Sequence, residues 1–217
     1  MIEKNIDGLI LDVDGTLWDS TPIVARAWER AARESGLPDY RVTPDMLKGL
    51  FGKTMAVIAE QMFPELPLEQ RTWIMELCCE YEHDDLEADA CDICYPGVIS
   101  GIKELSKKIP VFIVSNCQSG YIELFLEKTG LGPYVADIEC FGNTRKSKGE
   151  NIALVAKRNH LKAPVYVGDT QGDRDAAFSA GVPFIFASYG FGTVDRSDAK
   201  IAGFSDLTLF VEGGSGR

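Results

Sequence analysis

The chain has 217 residues, of which 45% are hydrophobic and 25% are charged, as in an ordinary soluble globular protein. Its formal net charge of −11 argues against a nucleic-acid or anionic-membrane surface, because either would favour a basic face. No apolar run approaches the length of a membrane span, and residues 1–5 lack a signal-peptide pattern. We therefore expect a cytoplasmic protein whose six cysteines are reduced thiols.

The first chemistry-bearing residues follow an apolar run near the amino terminus. Residues 8–11 are typical of a buried parallel strand, and Asp12, Asp14 and Thr16 come directly after it. Open α/β sheets bind ligands at this end of their strands. Two carboxylates so close in sequence repel each other unless they share a cation or a proton. The pair therefore predicts a divalent-metal site, a proton-transfer site or both.

A helical segment is predicted to follow this strand. Helix start and stop signals recur through residues 19–94, and no stretch there reads convincingly as a strand. The first helix is expected to have Thr21 as its capping residue and Pro22 at its first helical position. We predict that this segment is an all-helical domain inserted into a core formed by residues 1–18 and 95–217.

After residue 95, helical patterns alternate with short apolar runs. Strands are predicted at residues 111–114, 137–140, 165–167 and 184–186. This alternation predicts an α/β fold, namely a Rossmann-like parallel sheet core with helices on both faces and the all-helical subdomain inserted after its first strand. The glycine-rich tail from Glu212 to Arg217 is expected to be frayed.

Two later strands also end in polar residues. Ser115 and Asn116 end one strand, and Asp169 and Asp173 follow another. Because the carboxyl ends of parallel strands lie on one edge of a sheet, these residues can converge with the first two aspartates. An all-oxygen set of this kind suits a hard cation such as Mg²⁺.

A basic segment between these clusters, immediately before a helix, offers Lys146 and Lys148. A lysine there would stabilise an anion at the same edge. A nucleophilic carboxylate, a proton-transfer carboxylate, a hydroxyl, a lysine and a metal are the parts that phosphoryl transfer needs. Each part alone also has a structural interpretation, as turn residues or surface charges. Their recurrence at successive strand ends favours the catalytic interpretation.

This set of motifs, in this order, resembles the haloacid dehalogenase superfamily of hydrolases, and within it the phosphoglycolate-phosphatase-like branch with a helical cap. The match covers four family motifs: Asp12-Val13-Asp14-Gly15-Thr16, Ser115, Lys148, and Gly168-Asp169 with Asp173. Lys148 is preferred to Lys146 because it opens a helix as the family's lysine does, but Lys146 remains an alternative.

The resemblance implies a role for each acidic residue. Asp12 would attack phosphorus and form an aspartyl-phosphate, while Asp14 would protonate the leaving oxygen and then activate the hydrolytic water. Mg²⁺ would be held by Asp12, Asp169 and the backbone carbonyl of Asp14. Asp173 would bind Mg²⁺ through water or orient the loop.

The resemblance also implies an anion-binding set of Ser115, Asn116, Thr16 and Lys148. Ser115 would bind a phosphate oxygen, Lys148 would neutralise charge on Asp12 and the transferring group, and Thr16 would steady the first loop. In this branch a loop of the cap faces the active site, so Lys53 is a candidate second anion contact. A solvated lysine is an equal alternative, and the surrounding segment is not a phosphate-binding P-loop, because position 47 is leucine.

We therefore predict a Mg²⁺-dependent phosphatase that hydrolyses a small phosphorylated metabolite through an aspartyl-phosphate. A sugar phosphomutase of the β-phosphoglucomutase type shares these motifs and is the alternative, and a non-catalytic binding module is less favoured. A haloacid dehalogenase or a phosphonatase is disfavoured, because those chemistries lack an acid/base aspartate at the position of Asp14. The motifs indicate neither the substrate nor the oligomeric state.

Overall fold

The computed structural model describes residues 6–212. Its strands are β1 (Gly8–Leu11), β2 (Val111–Ser115), β3 (Asp137–Cys140), β4 (Pro164–Gly168), β5 (Phe184–Ala187) and β6 (Ala199–Ile201). Its helices are α1 (Thr21–Glu34), α2 (Pro44–Lys48), α3 (Met55–Met62), α4 (Leu68–Ala88), α5 (Val98–Leu105), α6 (Tyr121–Thr129), α7 (Phe141–Thr144), α8 (Lys148–Arg158), α9 (Gln171–Ser179) and α10 (Leu207–Glu212). Short 3₁₀ turns span Gly132–Tyr134 and Phe204–Asp206.

The six strands form one parallel sheet in the order β3-β2-β1-β4-β5-β6. β1 lies between β2 and β4, with Leu9 in register with both Val111 and Val165. Each of its four residues is buried, as expected for a strand covered on both faces. The predicted Rossmann-like parallel sheet is confirmed, and it places the ends of β1, β2 and β4 side by side.

Successive residues of β1 point into two different apolar layers. Leu9 and Leu11 belong to a large cluster that includes Ile102 and Phe125, from α5 and α6. Ile10 belongs to a second cluster with Ile152 of α8. This alternation follows from the two-residue period of a strand, and it accounts for the helices on both faces.

The described residues between β1 and α5 contain four helices and no sheet strand, in agreement with the predicted helical insertion. α1 and α4 pack together, and Arg30 and Asp85 form an ion pair of 3.1 Å between them. The prediction that Thr21 caps α1 and Pro22 is its first residue is wrong by one position, because Ser20 occupies the capping position and Thr21 begins the helix. The Thr21 hydroxyl instead donates to Asp19 Oδ1 at 2.6 Å.

Three elements in the carboxyl-terminal half of the chain were not predicted from the sequence: α7, β6 and α10. β6 has only three residues and only Ile201 is buried, so it carries no apolar run that a sequence pattern could detect. The predicted frayed tail begins at Glu212, which ends α10, and residues 213–217 lie outside the described part of the chain. None of the described helices combines the length and apolarity needed to cross a membrane.

Candidate active site

Three predicted site residues meet where the three central strands end. Asp12 follows β1, Ser115 ends β2 and Asp169 follows β4. Their exposed fractions are 1%, 5% and 0% respectively. The register of the parallel sheet therefore brings together residues that are more than 150 positions apart, as the strand-end argument predicted.

Lys148 reaches this cluster from the first position of α8. Its Nζ lies 3.0 Å from Asp12 Oδ1 and 2.6 Å from Asp173 Oδ1, and its side chain is 3% exposed. Ser147 sets this helix start through a capping box, in which its Oγ accepts from the Glu150 N–H while the Glu150 carboxylate accepts from the Ser147 N–H. The helix start therefore directs Lys148 into the site.

The structure distinguishes Lys148 from Lys146. Lys146 is exposed, whereas Nζ of Lys148 contacts the buried carboxylates. Burial acts to lower the pKa of Lys148, but the adjacent charges of Asp12 and Asp173 outweigh it and hold that pKa above its ordinary value. The two carboxylates therefore favour the charged form of this lysine.

Both carboxylate oxygens of Asp173 are occupied by protein donors. Oδ1 accepts from Lys148, and Oδ2 accepts from the Asp169 N–H at 3.2 Å and from Thr170 N–H and Oγ1 at 3.0 and 2.6 Å. Burial acts to raise the pKa of Asp173, but Lys148 and these donors hold it below its usual range. This arrangement suits a carboxylate that orients the loop and the lysine.

Asp169 lies in a close cradle of backbone. Its Oδ2 accepts from the Phe191 N–H at 2.7 Å, while its Oδ1 is buried and has no hydrogen-bond partner among the described residues. A Cβ added at Gly15 or at Gly190 would lie 2.2 Å or 2.6 Å from Asp169 Oδ2. Only glycine therefore fits at these two positions without moving the carboxylate.

The acidic cluster fits a hard divalent cation. Asp12, Asp169 and Asp173 each offer a carboxylate oxygen, and these oxygens lie within 4.8 Å of one another. Burial and the neighbouring carboxylates raise the pKa of Asp12 to about 7 and that of Asp169 to about 8, with Lys148 opposing the shift in both. A cation would relieve this repulsion and give the unpartnered Oδ1 of Asp169 a ligand role.

Asp14 is turned toward a different set of partners. Its Oδ1 accepts from Tyr121 OH at 2.7 Å, Ser20 Oγ at 2.8 Å and Trp18 Nε1 at 3.0 Å. No donor to its Oδ2 is found among residues 6–212. Burial raises the pKa of Asp14, and the three hydrogen bonds oppose the rise. One oxygen is thus fixed while the other remains available to a substrate.

The predicted anion contacts Thr16 and Asn116 have distinct surroundings. Thr16 is fully buried, and its Oγ1 has no hydrogen-bond partner within residues 6–212. Asn116 Nδ2 donates to the carbonyl of Gly52 at 2.7 Å, which ties the loop after β2 to the helical insertion. Asn116 therefore contacts the insertion directly beside the strand end that carries Ser115.

A small cavity, which we call the chamber, lies between the sheet edge and the insertion. Its volume is about 30 Å³, and its walls include Asp14, Ser115 and Tyr121 from the core and Lys53, Met55 and Glu82 from the insertion. Lys53 lines it as predicted, but its Nζ donates to the Gly49 carbonyl and to Gln61 Oε1, both at 2.8 Å. The ammonium is thus already held by two acceptors of the insertion.

A wider cleft of about 760 Å³ adjoins the chamber. The two spaces share Met55, Cys117 and Gln118, and the cleft runs between α3, α4 and the start of α7. The chamber is therefore the narrow part of a larger space between the insertion and the core.

Sequence reasoning missed Tyr121, Glu82 and Gln118. Tyr121 begins α6 and belongs to no strand end, so its hydrogen bond to Asp14 had no sequence signal. Glu82 is one of many acidic residues on α4, yet it is only 3% exposed. Its distinguishing signal is tertiary, because Trp28 and Gln118 reach it from other segments.

The structure combines a parallel-sheet α/β core, a helical insertion after the first strand and a buried acidic cluster at the strand ends. The family model of the haloacid dehalogenase-like hydrolases matches residues 9–187, so the chain belongs to this family. The resemblance read from the motifs is confirmed, and so is the enzyme class of a haloacid dehalogenase-like hydrolase.

Relatives of similar length are phosphoglycolate phosphatases. The protein of that name from Yersinia pseudotuberculosis is 26% identical over 94% of this chain and 92% of its own length. That from Rhodobacter capsulatus is 27% identical over 94% of this chain and 96% of its own length. These names agree with the predicted phosphoric monoester hydrolase.

Solved structures share the fold. A predicted phosphoglycolate phosphatase from Haemophilus somnus 129pt has a TM-score of 0.82 and 19% identity, covering 96% of this chain and 99% of its own. A putative haloacid dehalogenase-like hydrolase from Bacteroides fragilis also has a TM-score of 0.82, with 21% identity over 94% of this chain and 100% of its own.

Proposed function

We propose that this protein is a Mg²⁺-dependent phosphatase that hydrolyses a small phosphorylated metabolite through an aspartyl-phosphate on Asp12. The observation that carries the proposal is the buried group of Asp12, Asp169, Asp173 and Lys148 at the carboxyl ends of β1 and β4. Family membership and the phosphatase names of the relatives support it.

In this proposal the chain provides the nucleophile and its activation. A carboxylate of Asp12 attacks phosphorus, and the P–O bond to the leaving alcohol breaks. Lys148, 3.0 Å from Asp12, balances the charge of the carboxylate and of the transferring group. Ser115 and Thr16 offer hydroxyls to the phosphoryl oxygens, and Asn116 lies beside them.

Asp14 handles the proton. Its Oδ1 is fixed by three donors, so its Oδ2 is the oxygen that gives a proton to the leaving alkoxide and later takes one from the attacking water. That water adds to phosphorus, releases phosphate and regenerates the Asp12 carboxylate. The raised pKa of Asp14 favours the protonated form that the first step requires.

Asp12, Asp169 and the backbone carbonyl of Asp14 would hold Mg²⁺. The bound ion supplies electrostatic stabilisation of the phosphoryl oxygens and keeps the Asp12 carboxylate ionised. Asp173 acts by holding Lys148 and the Asp169–Thr170 backbone in place.

The insertion narrows the space directly beside Asp14 to the small chamber, next to the wider cleft. A volume of about 30 Å³ has room for about two waters. A small group on the substrate therefore fits the chamber itself, whereas a larger leaving group would extend into the adjoining cleft. The division of residues 1–18 and 95–217 from residues 19–94 is part of this proposal.

The proposal is tested with p-nitrophenyl phosphate in the presence and absence of Mg²⁺. We expect Asp12→Asn to lower kcat by about 10⁴-fold or more, as loss of a nucleophile does in other enzymes. The matched control is Asp7→Asn, since Asp7 immediately precedes β1, at the end of the strand opposite Asp12. Retained activity in Asp12→Asn would overturn the nucleophile assignment.

Product analysis with sugar phosphates separates the alternatives. Released phosphate supports a phosphatase, whereas an isomerised sugar phosphate would show a phosphomutase of the β-phosphoglucomutase type. Absence of any turnover despite bound Mg²⁺ would instead indicate a binding module.

A further inference from the structure

We infer that Glu82 is a specificity-determining residue that favours a hydrogen-bond-donating group, hydroxyl or ammonium, on the leaving alcohol of the substrate and disfavours a carboxylate there. This inference rests on the proposed phosphatase function and names the chemical class of its substrate. Its starting point is a buried carboxyl group in the chamber that the proposed reaction leaves unused.

Glu82 lies in α4 with only 3% of its surface exposed, and it forms part of the chamber wall with Asp14. Its Oε2 accepts from Trp28 Nε1 at 2.8 Å, and its Oε1 accepts from Gln118 Nε2 at 2.9 Å. Each oxygen of a carboxylate can accept a further hydrogen bond. The protein thus fixes both oxygens and leaves acceptor capacity on each.

The protein gives this carboxyl group no compensating cation. No ion pair to Glu82 is found among residues 6–212, and both of its partners are neutral donors. Burial raises the pKa of Glu82 to about 8, with the Asp14 charge adding to the rise and the Gln118 and Trp28 hydrogen bonds opposing it. A ligand that donates a hydrogen bond or carries a positive charge would stabilise the ionised form.

The rest of the chamber offers little to a carboxylate. Among the described residues of its wall, Lys53 is the one base, and its Nζ is held by Gly49 and Gln61. A substrate carboxylate would be the third carboxyl group in a cavity of about 30 Å³, after Asp14 and Glu82. The electrostatics of the chamber therefore differ from those that a phosphorylated carboxylic acid requires.

A purely structural role for Glu82 predicts a different result. The carboxylate joins α1, α4 and the loop after β2. If its role were only structural, its substitution would change the kcat/KM of all substrates by the same factor. A specificity residue changes the ratio between substrates that differ only in the group that faces it. The experiment therefore measures ratios.

Three probes share a two-carbon leaving group and differ only at its end: 2-aminoethyl phosphate, 2-hydroxyethyl phosphate and phosphoglycolate. With Mg²⁺, we expect the wild-type kcat/KM of the amino or hydroxyl probe to exceed that of phosphoglycolate by about tenfold or more, the usual value of a hydrogen bond to a charged group. If the amino probe has the highest kcat/KM, the substrate class is an amino-alcohol phosphate. If the hydroxyl probe has the highest kcat/KM, the substrate class is a polyol phosphate. A lead of phosphoglycolate would overturn the inference.

Glu82→Gln keeps the shape of the side chain but replaces one acceptor oxygen with an amide NH2, so the residue can no longer become the anion that a donating or cationic ligand would stabilise. We expect it to reduce the ratio of the leading probe to phosphoglycolate by about tenfold. The matched control is Glu80→Gln, an exposed glutamate on the same helix, for which the ratio should stay unchanged. An unchanged ratio in a folded Glu82→Gln protein would contradict the inference, and should that variant not fold, the wild-type order decides alone.

Lys53→Met tests the alternative that Lys53 binds a carboxylate of the substrate. A selective loss of phosphoglycolate turnover in this variant would show that Lys53 binds a carboxylate, and the inference would fail. Turnover of p-nitrophenyl phosphate by the wild-type enzyme distinguishes this failure from failure of the proposed function. If the wild-type enzyme does not turn over p-nitrophenyl phosphate, the phosphatase proposal fails. If it does, only the inferred substrate class is in question.

Discussion

Nζ of Lys148 lies 3.0 Å from Oδ1 of Asp12, although 136 residues separate the two along the chain. Both side chains are almost completely buried, with exposed fractions of 3% and 2%. The same ammonium lies 2.6 Å from Asp173. One buried cation therefore holds the end of β1 against the start of α9, and the proposed nucleophile depends on it.

Lys148→Met is expected to lower kcat by about a hundredfold or more, because it removes a preorganised cation from a buried phosphoryl-transfer site. It should also lower the free energy of unfolding by roughly 3–5 kcal/mol, the cost of leaving a buried charge without its partner. Phosphate release and urea unfolding measure the two effects.

Lys146→Met is the matched control, since this lysine is exposed and lies two positions earlier. It should behave as wild type in both measurements. The assignment of the motif lysine would be wrong if the exposed lysine were the one whose loss removes activity.

The hydrogen bonds that orient Asp14 predict that Tyr121→Phe lowers kcat less than Lys148→Met does. This variant removes one of three donors to Asp14 Oδ1, while Ser20 and Trp18 remain. The phenylalanine ring can keep the edge-on contact with Trp18, whose ring centre lies 5.5 Å away. We expect kcat to fall by about three- to tenfold, the value of one hydrogen bond.

Tyr40→Phe provides the comparison for this measurement. Tyr40 also donates from its hydroxyl, to the Met62 carbonyl at 2.7 Å, but it lies within the helical insertion. Equal losses of kcat in the two variants would show that Tyr121 acts on general stability and not on Asp14.

The glycine at position 15 predicts an effect on metal affinity. A Cβ there would lie 2.2 Å from Asp169 Oδ2, and the φ of +79° adds backbone strain. Gly15→Ala should therefore raise the Mg²⁺ concentration for half-maximal activity by about 10–100-fold, as changes beside metal ligands do.

Gly36→Ala separates the clash from the strain. Gly36 has a similar φ of +90°, but no atom lies within 4 Å of the added Cβ. Its Mg²⁺ requirement should equal that of the wild type even if its stability falls. A matching rise in both variants would trace the effect to backbone strain in general.

The sequence could predict the sheet and most of the acidic site because strand ends are visible in it. Asp12, Ser115 and Asp169 each follow an apolar run, and parallel pairing brings such positions together. Lys148 could be chosen over its neighbour because it begins a helix, which Ser147 caps. These inferences used local patterns, one topological rule and, for Lys148, the resemblance to the haloacid dehalogenase superfamily.

The remaining features depend on tertiary contacts that no local pattern records. Asp173 was predicted to bind Mg²⁺ through water or to orient the loop, and no local pattern shows that its Oδ2 accepts from Thr170 at the start of α9 while its Oδ1 pairs with Lys148. Lys53 was predicted to face the site. The sequence did not show that its ammonium donates a hydrogen bond to the side chain of Gln61. The same holds for Glu82, whose burial depends on how α1 and α4 pack.

Glu82 also predicts a pH dependence of stability. Its pKa in the folded protein is about 8, compared with an ordinary value of 4.5. Between these pH values the folded protein keeps a proton that the unfolded chain releases, so the free energy of unfolding falls as the pH rises. Asp14, which faces Glu82 across the chamber, adds to the shift, and Trp28 and Gln118 reduce it.

Glu82→Gln cannot titrate at this position, so it removes this contribution. The stability of the wild type relative to Glu82→Gln should fall by a few kcal/mol from pH about 4.5 to pH about 8, since each unit of pKa shift corresponds to about 1.4 kcal/mol. Urea unfolding at both pH values, with Glu80→Gln as the exposed control, measures this difference. Taking the difference between variants cancels the titration of Asp12 and Asp169, which both proteins share. A difference that stayed constant across this range would mean that Glu82 is ionised in the folded protein, and that the chamber supplies it with more stabilisation than two neutral donors can explain.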